Sequence, residues 1–104
     1  MKDYASMSDF EVNQMVSAYL WGSVCSVDGV VLHGESGGPF DPCNNPEDAW
    51  PIITENKISI YAMSETDARG KWGAEAFYPS EAYHFNDNPL RAAMIVFLMM
   101  KEGE

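Results

Sequence analysis

Residues 88–100 read Asn-Pro-Leu-Arg-Ala-Ala-Met-Ile-Val-Phe-Leu-Met-Met, and this stretch decides the fold. Asn88 can cap a helix, and Pro89 fits the first helical position, where no amide hydrogen is needed. Nothing from Leu90 to Lys101 breaks a helix, so the pattern predicts one that runs the length of this segment. Met94 to Met100 are apolar around the whole circumference, and one flank laid on a sheet cannot bury them all. The remaining face calls for the first helix, the second helix or another subunit, and self-association through this last helix is the expectation.

Working upstream, the segment after Tyr78 is rich in Pro, Ser, His and Asn and reads as a loop. Lys71 to Tyr78 places Trp72, Ala74, Ala76 and Tyr78 on one side and Gly73, Glu75 and Phe77 on the other. Lys57 to Ser64 alternates Ile58, Ile60 and Ala62 with Tyr61 and Met63, the pattern of a strand covered on both faces. The polar turn Glu65 to Gly70 joins the two runs into an antiparallel pair. Before them, Asn45 and Pro46 repeat the helix-start signal, followed by Glu47 and Asp48 at the positive end of the dipole. This second helix carries Pro51 in its second turn, is expected to end near Asn56, and would turn Trp50, Ile52 and Ile53 inward.

The chain opens with a capping-box spacing, Ser8 to Glu11. Val12, Met15, Val16, Tyr19 and Leu20 then form a helical stripe that Gly22 terminates, and the helix is expected to lie across a sheet. Ser23 to His33 reads as a short hairpin turning at Asp28 and Gly29, and Gly34 to Asn45 is too rich in Gly, Pro and Asn for a regular element. The sum is a single domain over residues 1–104, of α+β class, with an antiparallel sheet and three helices packed on it and on one another.

Six Lys plus Arg against sixteen Asp plus Glu give a net charge of −10, which opposes nonspecific nucleic-acid binding and adsorption to anionic membranes. The longest apolar run, Ala92 to Met100, is far short of the about 20 residues that cross a bilayer. Cys25 and Cys43 form no CxxC pair and follow no signal-peptide pattern, which points to reduced thiols in a cytoplasm. Cys25 reads as a small buried side chain.

Catalytic signatures are absent: there is no GxSxG elbow, phosphate-binding glycine loop or HExxH pair, and His33 and His84 are the only imidazoles. His33, Glu35 and Asp41 are spread over a glycine-rich loop and read as solvated side chains before metal ligands, and Cys43 with His33 is no better supported as a nucleophile pair. No enzyme, metal or cofactor is expected. Arg91 is the unusual residue, because a cation in the first turn opposes the helix dipole unless something offsets it. A carboxylate elsewhere in the chain and an anionic ligand both meet that requirement. Asn88 shares this helix start. Arg69 and Lys71, on either side of Gly70, can supply the rest of a cationic spot, while Trp50, Trp72, Tyr61 or Tyr83 can stack on a base or simply pack in the core. Asn44 and Asn45 are cap and turn residues before they are ligand contacts.

Three segments carry a resemblance: SDFE at Ser8 to Glu11, DPCNNPEDAWPIITENKISI from Asp41 to Ile60, and NPLRAAMIVFL from Asn88 to Leu98. Together they resemble the NinX-like family of small tailed-phage proteins over nearly the whole chain. The later portion, with Ala49 and Trp50, Trp72 and Ala74, and Asn88 and Pro89, is also similar to the phage α-β-α sandwich domain. That likeness implies a sheet with helices on both sides and brings no catalytic residues. The function expected is that of a phage accessory protein in the host cytoplasm, active in counter-defence, which sequesters a small anionic, nucleotide-like signal through Arg91, Asn88, Arg69, Lys71, Trp50, Trp72, Asn44 and Asn45. The alternative is an acidic inhibitor or adaptor that binds a host nucleic-acid enzyme.

Overall fold

In the computed structural model, residues 3–103 are described, and the helix foreseen at the C-terminal side, α3 (Pro89–Glu102), lies at the centre. Asn88 caps it as expected, its Oδ1 accepting the amides of Leu90 at 2.9 Å and Arg91 at 3.2 Å. Every residue from Arg91 to Leu98 is buried. A three-stranded antiparallel sheet, ordered β3 (Ser59–Ala62), β4 (Trp72–Glu75) and β5 (Tyr83–Asn86), covers one side of α3. Helices α1 (Asp9–Trp21) and α2 (Pro46–Glu55) cover the other. No apolar flank of α3 between Arg91 and Leu98 is left for a second copy, so the reason for expecting self-association there is removed by packing within one chain.

Local chemistry explains the ends of these elements. The Ser8 hydroxyl accepts the Glu11 amide while the Glu11 carboxylate accepts the Ser8 amide, a complete capping box, and Gly22 closes α1 at φ +76°. A short hairpin follows, β1 (Ser26–Val27) and β2 (Val30–Val31), pairing Val27 with Val30. Its turn needs positive φ at both Asp28 and Gly29 and has it, at +50° and +78°. The Asn45 side chain accepts the Glu47 amide to open α2, which accommodates Pro51 and runs to Glu55.

Four expectations change. The inward stripe of α1 is Val12, Asn13, Val16 and Ser17, while Tyr19 and Leu20 are exposed, because α1 packs on α3 and β2 instead of across a sheet. Ala49, Ile52 and Ile53 are buried on α2, but Trp50, about 100° round the helix from that face, is 62% exposed. Residues 83–86, read as loop, form the third strand, with Gly73 opposite Phe85 and Ala74 opposite His84. The antiparallel sheet and α+β class are as expected, yet both outer helices stack behind α3. Among the described residues no helix therefore packs on the far face of the sheet, and β3 is covered on one side only.

The underside of the sheet, with Ile58, Ala74 and Ala76, joins Val12, Val16, Ile52, Ile53 and the α3 side chains in one apolar cluster. Leu98 is fully buried within it. Leu98→Ala is expected to cost about 2–5 kcal/mol, read as a lower urea midpoint, with no change in sedimentation mass.

Candidate functional site

The uncovered face of the sheet carries the chemistry. Alternation and register place side chains on it in rows about 7 Å apart. Tyr61, Gly73 and Phe85 form one row, and Ser59, Glu75 and Tyr83 the next. Gly73 is required by its neighbour: a Cβ there would stand 2.7 Å from Cζ and 2.9 Å from the hydroxyl oxygen of Tyr61, whose ring lies over the glycine. Tyr83 meets Phe85 edge to face with centroids 5.8 Å apart. Phe77 and Tyr83 are 61% and 57% exposed, so the face is an aromatic surface open to water.

Three cations border it. The Arg69 guanidinium stands 4.6 Å from the Phe85 ring centroid, and Lys57 Nζ 5.2 Å from that of Phe77. Arg69 also grips Asp67, Nε to Oδ1 at 3.1 Å and a terminal nitrogen to Oδ2 at 2.9 Å, and these bonds hold the Asp67 carboxyl down at about 2. Lys71 lies 3.5 Å from Glu65, a loose exposed pair of little energetic weight. Lys57 has no ion pair among the described residues. Such a surface can stack planar rings and meet negative charge along its edges, while the exposed Glu75 carboxylate keeps phosphate away from the middle row.

The structure divides the residues singled out from sequence. Arg69 and Lys71 border this face together with Tyr61 and Tyr83. Phe77, Phe85 and Lys57 belong with them; the alternation of Tyr83 and Phe85 with His84 and Asn86 was the signal for the unforeseen strand. Trp72 falls on the opposite face with Ala74, and Trp50 stands exposed on α2, away from the sheet.

Arg91, Asn88 and Asn44 instead form a knot that ties α1, the loop before α2 and α3 together. Arg91, 8% exposed, donates to Asp9 Oδ1 at 2.7 Å, to the Tyr4 carbonyl at 3.1 Å and to the Met7 carbonyl at 2.5 Å. The offset demanded by the helix dipole is thus a carboxylate of the chain itself, and the guanidinium is largely buried among its three partners. Asn88 Nδ2 donates to the Cys43 carbonyl at 2.7 Å and to Asn44 Oδ1 at 3.1 Å, and Asn44 donates to Asp9 and Asp41. Asn45 is occupied as the cap of α2.

The thiols and imidazoles are scattered. Cys43 is fully buried in the knot, where desolvation and then the Asp9 charge push its thiol up to about 12, which removes it as a nucleophile at neutral pH. Cys25, expected inside, is exposed, because the hairpin it leads into lies at the rim of the fold. His84 sits on the underside of the sheet with Nε2 buried and unpaired, and burial, with the nearby Arg91 charge, pushes its pKa below 6.5. Among the described residues no three His, Cys, Asp or Glu side chains converge as a metal site, and no helix is long and apolar enough to cross a membrane.

This arrangement of sheet, central helix and outer helices is found in a phage protein from Bacillus cereus ATCC 14579, whose crystal structure at 2.0 Å matches with a TM-score of 0.64. The match covers 94% of this chain and 96% of that one at 14% identity, which establishes a shared fold. The chain itself belongs to the family described as "Bacteriophage P22, NinX", whose sequence profile matches residues 3–101. It is a phage accessory protein. No curated protein matches it as a relative.

Two measurements test the chemistry of the knot and of the sheet's underside. Asp9→Asn leaves a buried guanidinium with two carbonyls and no counter-charge. Because Asp9 is 44% exposed, the loss is expected at about 2 kcal/mol in urea unfolding, below the about 3–5 of a fully buried pair. His84 resists a proton that the unfolded chain accepts from pH 6.5 downward, so stability is lost as pH falls through that value towards the depressed folded one. Urea midpoints between pH 7.5 and 5.5 should fall less steeply for His84→Gln than for the parent.

Proposed function

We propose that this phage accessory protein binds a small nucleotide-like anion on the open face of its sheet and sequesters it without turnover, as a counter-defence factor in the host cytoplasm. The observation that carries the reading is the aromatic face of Tyr61, Phe85, Tyr83 and Phe77 with Lys57, Arg69 and Lys71 at its edges, in a chain of net charge −10. Three of the six basic residues border this one surface. A base stacked on such a ring contributes about 1–3 kcal/mol, and every base offers a π-face. Two bases stacked at the upper end of that range, about 6 kcal/mol, with about 2 more from phosphate at a cationic edge, reach the roughly 8 kcal/mol of micromolar affinity, so sequestration works by protein in excess of the signal. Binding without turnover is supported by the placement of reactive groups: Cys43 and His84 lie beneath or behind the sheet, and neither shares the face.

The test is an NMR titration with adenosine monophosphate, guanosine monophosphate and cyclic di-adenosine monophosphate, followed by chromatography of the recovered nucleotide. At least one nucleotide should shift the Gly73, Tyr83 and Phe85 signals at micromolar concentration and return intact. Phe85→Ala should weaken it at least tenfold, and Lys57→Ala about threefold. The reading is lost if none moves these signals at millimolar concentration, or if the shifts cluster on the Asn88–Arg91 helix start instead.

A further inference from the structure

The layer behind α3 has the opposite electrostatic character. A groove of about 410 Å³ runs between the last turn of α1, the loop before Phe40 and the outer side of α2. Its apolar surface comes from Leu20, Trp21, Phe40 and Pro51. Trp21 is held as a wall: its ring meets Phe40 edge to face at 5.0 Å, and a Cβ on Gly34 would overlap the indole, so that position must stay a glycine. Ile52 and His33, whose ring lies 4.5 Å from that of Trp21, also line it. Glu35, Glu47, Asp48 and Glu55 complete the lining, and no Lys or Arg among the described residues takes part.

Two further features make this a place that lacks a cation. The last turn of α1 and the last turn of α2 contain no basic residue, so both negative helix ends are uncompensated. Glu55 adds a full negative charge at the end of α2, the arrangement the dipole opposes. The cation nearest in sequence, Lys57, is turned to the sheet side, where it covers Phe77. Asp48 accepts the Asp41 amide, but Glu35, Glu47 and Glu55 accept no hydrogen bond and form no ion pair among the described residues.

We infer that this groove is a docking surface for a basic, amphipathic segment of another protein, with Arg or Lys side chains meeting the carboxylates and leucine-like side chains lying on Trp21, Leu20 and Pro51. Charge complementarity selects this occupant. A phosphate-bearing ligand is repelled by four carboxylates, and a second copy of the chain would bring net charge −10 to the same place. The site is independent of the sheet face, which lies on the other side of α3.

A fluorescein-labelled twelve-residue peptide alternating arginine and leucine serves as the probe, read by anisotropy in 100 mM salt with the full chain. It is expected to bind and to shift the Trp21 indole N–H signal. The double change Glu47→Gln and Glu55→Gln should weaken binding at least tenfold. The equally neutralising pair Glu65→Gln and Glu81→Gln, outside the groove, should weaken it less than twofold. Equal loss in the two pairs means attraction to net charge alone and overturns the inference, as does the absence of binding or a Trp21 signal that stays in place. Thermal midpoints of both variants within a few degrees of the parent show that folding is not what changed.

Discussion

A helix that is apolar all the way round has to be enclosed, and α3 imposes that requirement on every other element. The sheet alone covers one flank, so α1 and α2 are drawn to the opposite flank, and the sheet is left with a bare outer face. The same constraint accounts for the knot. Placing Arg91 at the start of an enclosed helix buries a charge, and Asp9 with two backbone carbonyls supplies what water no longer can. Asn88 serves the helix end and the neighbouring loop at once, its oxygen capping α3 and its amide holding Cys43 and Asn44.

What could be read in the sequence was what is local. Ser8, Asn45 and Asn88 mark helix starts because a cap is a contact between residues two or three apart, and the turn at Asp28 and Gly29 is legible for the same reason. The layer order was not legible. An amphipathic helix shows that it has an inner side, but nothing in α1 distinguishes burial against a sheet from burial against another helix, and the expectation that α1 lies across a sheet followed the first option. Trp50 was assigned inward by its size, whereas its angle on α2 sets it outside.

The candidate site was partly visible. Arg69 and Lys71 could be paired as a cationic spot because they are neighbours in the chain, but their aromatic companions come from a strand that composition disguised as a loop. Arg91 was the more conspicuous residue, and its answer lay 82 positions away in Asp9, a separation that sequence spacing does not bridge. A net charge of −10 likewise conceals how charge is arranged: cations line the bare side of the sheet, while the groove between α1 and α2 gathers four carboxylates and, among the described residues, no Lys or Arg. Averages over the chain exclude classes of partner that individual faces admit.

The position of α3 in the chain also bears on how the protein comes to be folded. The element at the middle of the core is made after every element that packs on it. Until residues 89–102 leave the ribosome, the inner sides of the sheet, α1 and α2 have nothing to close upon, and their apolar residues stay in water or in a chaperone's hands. Assembly then depends on contacts between distant parts of the chain, which favours a slow, concerted collapse over stepwise growth from the first helix.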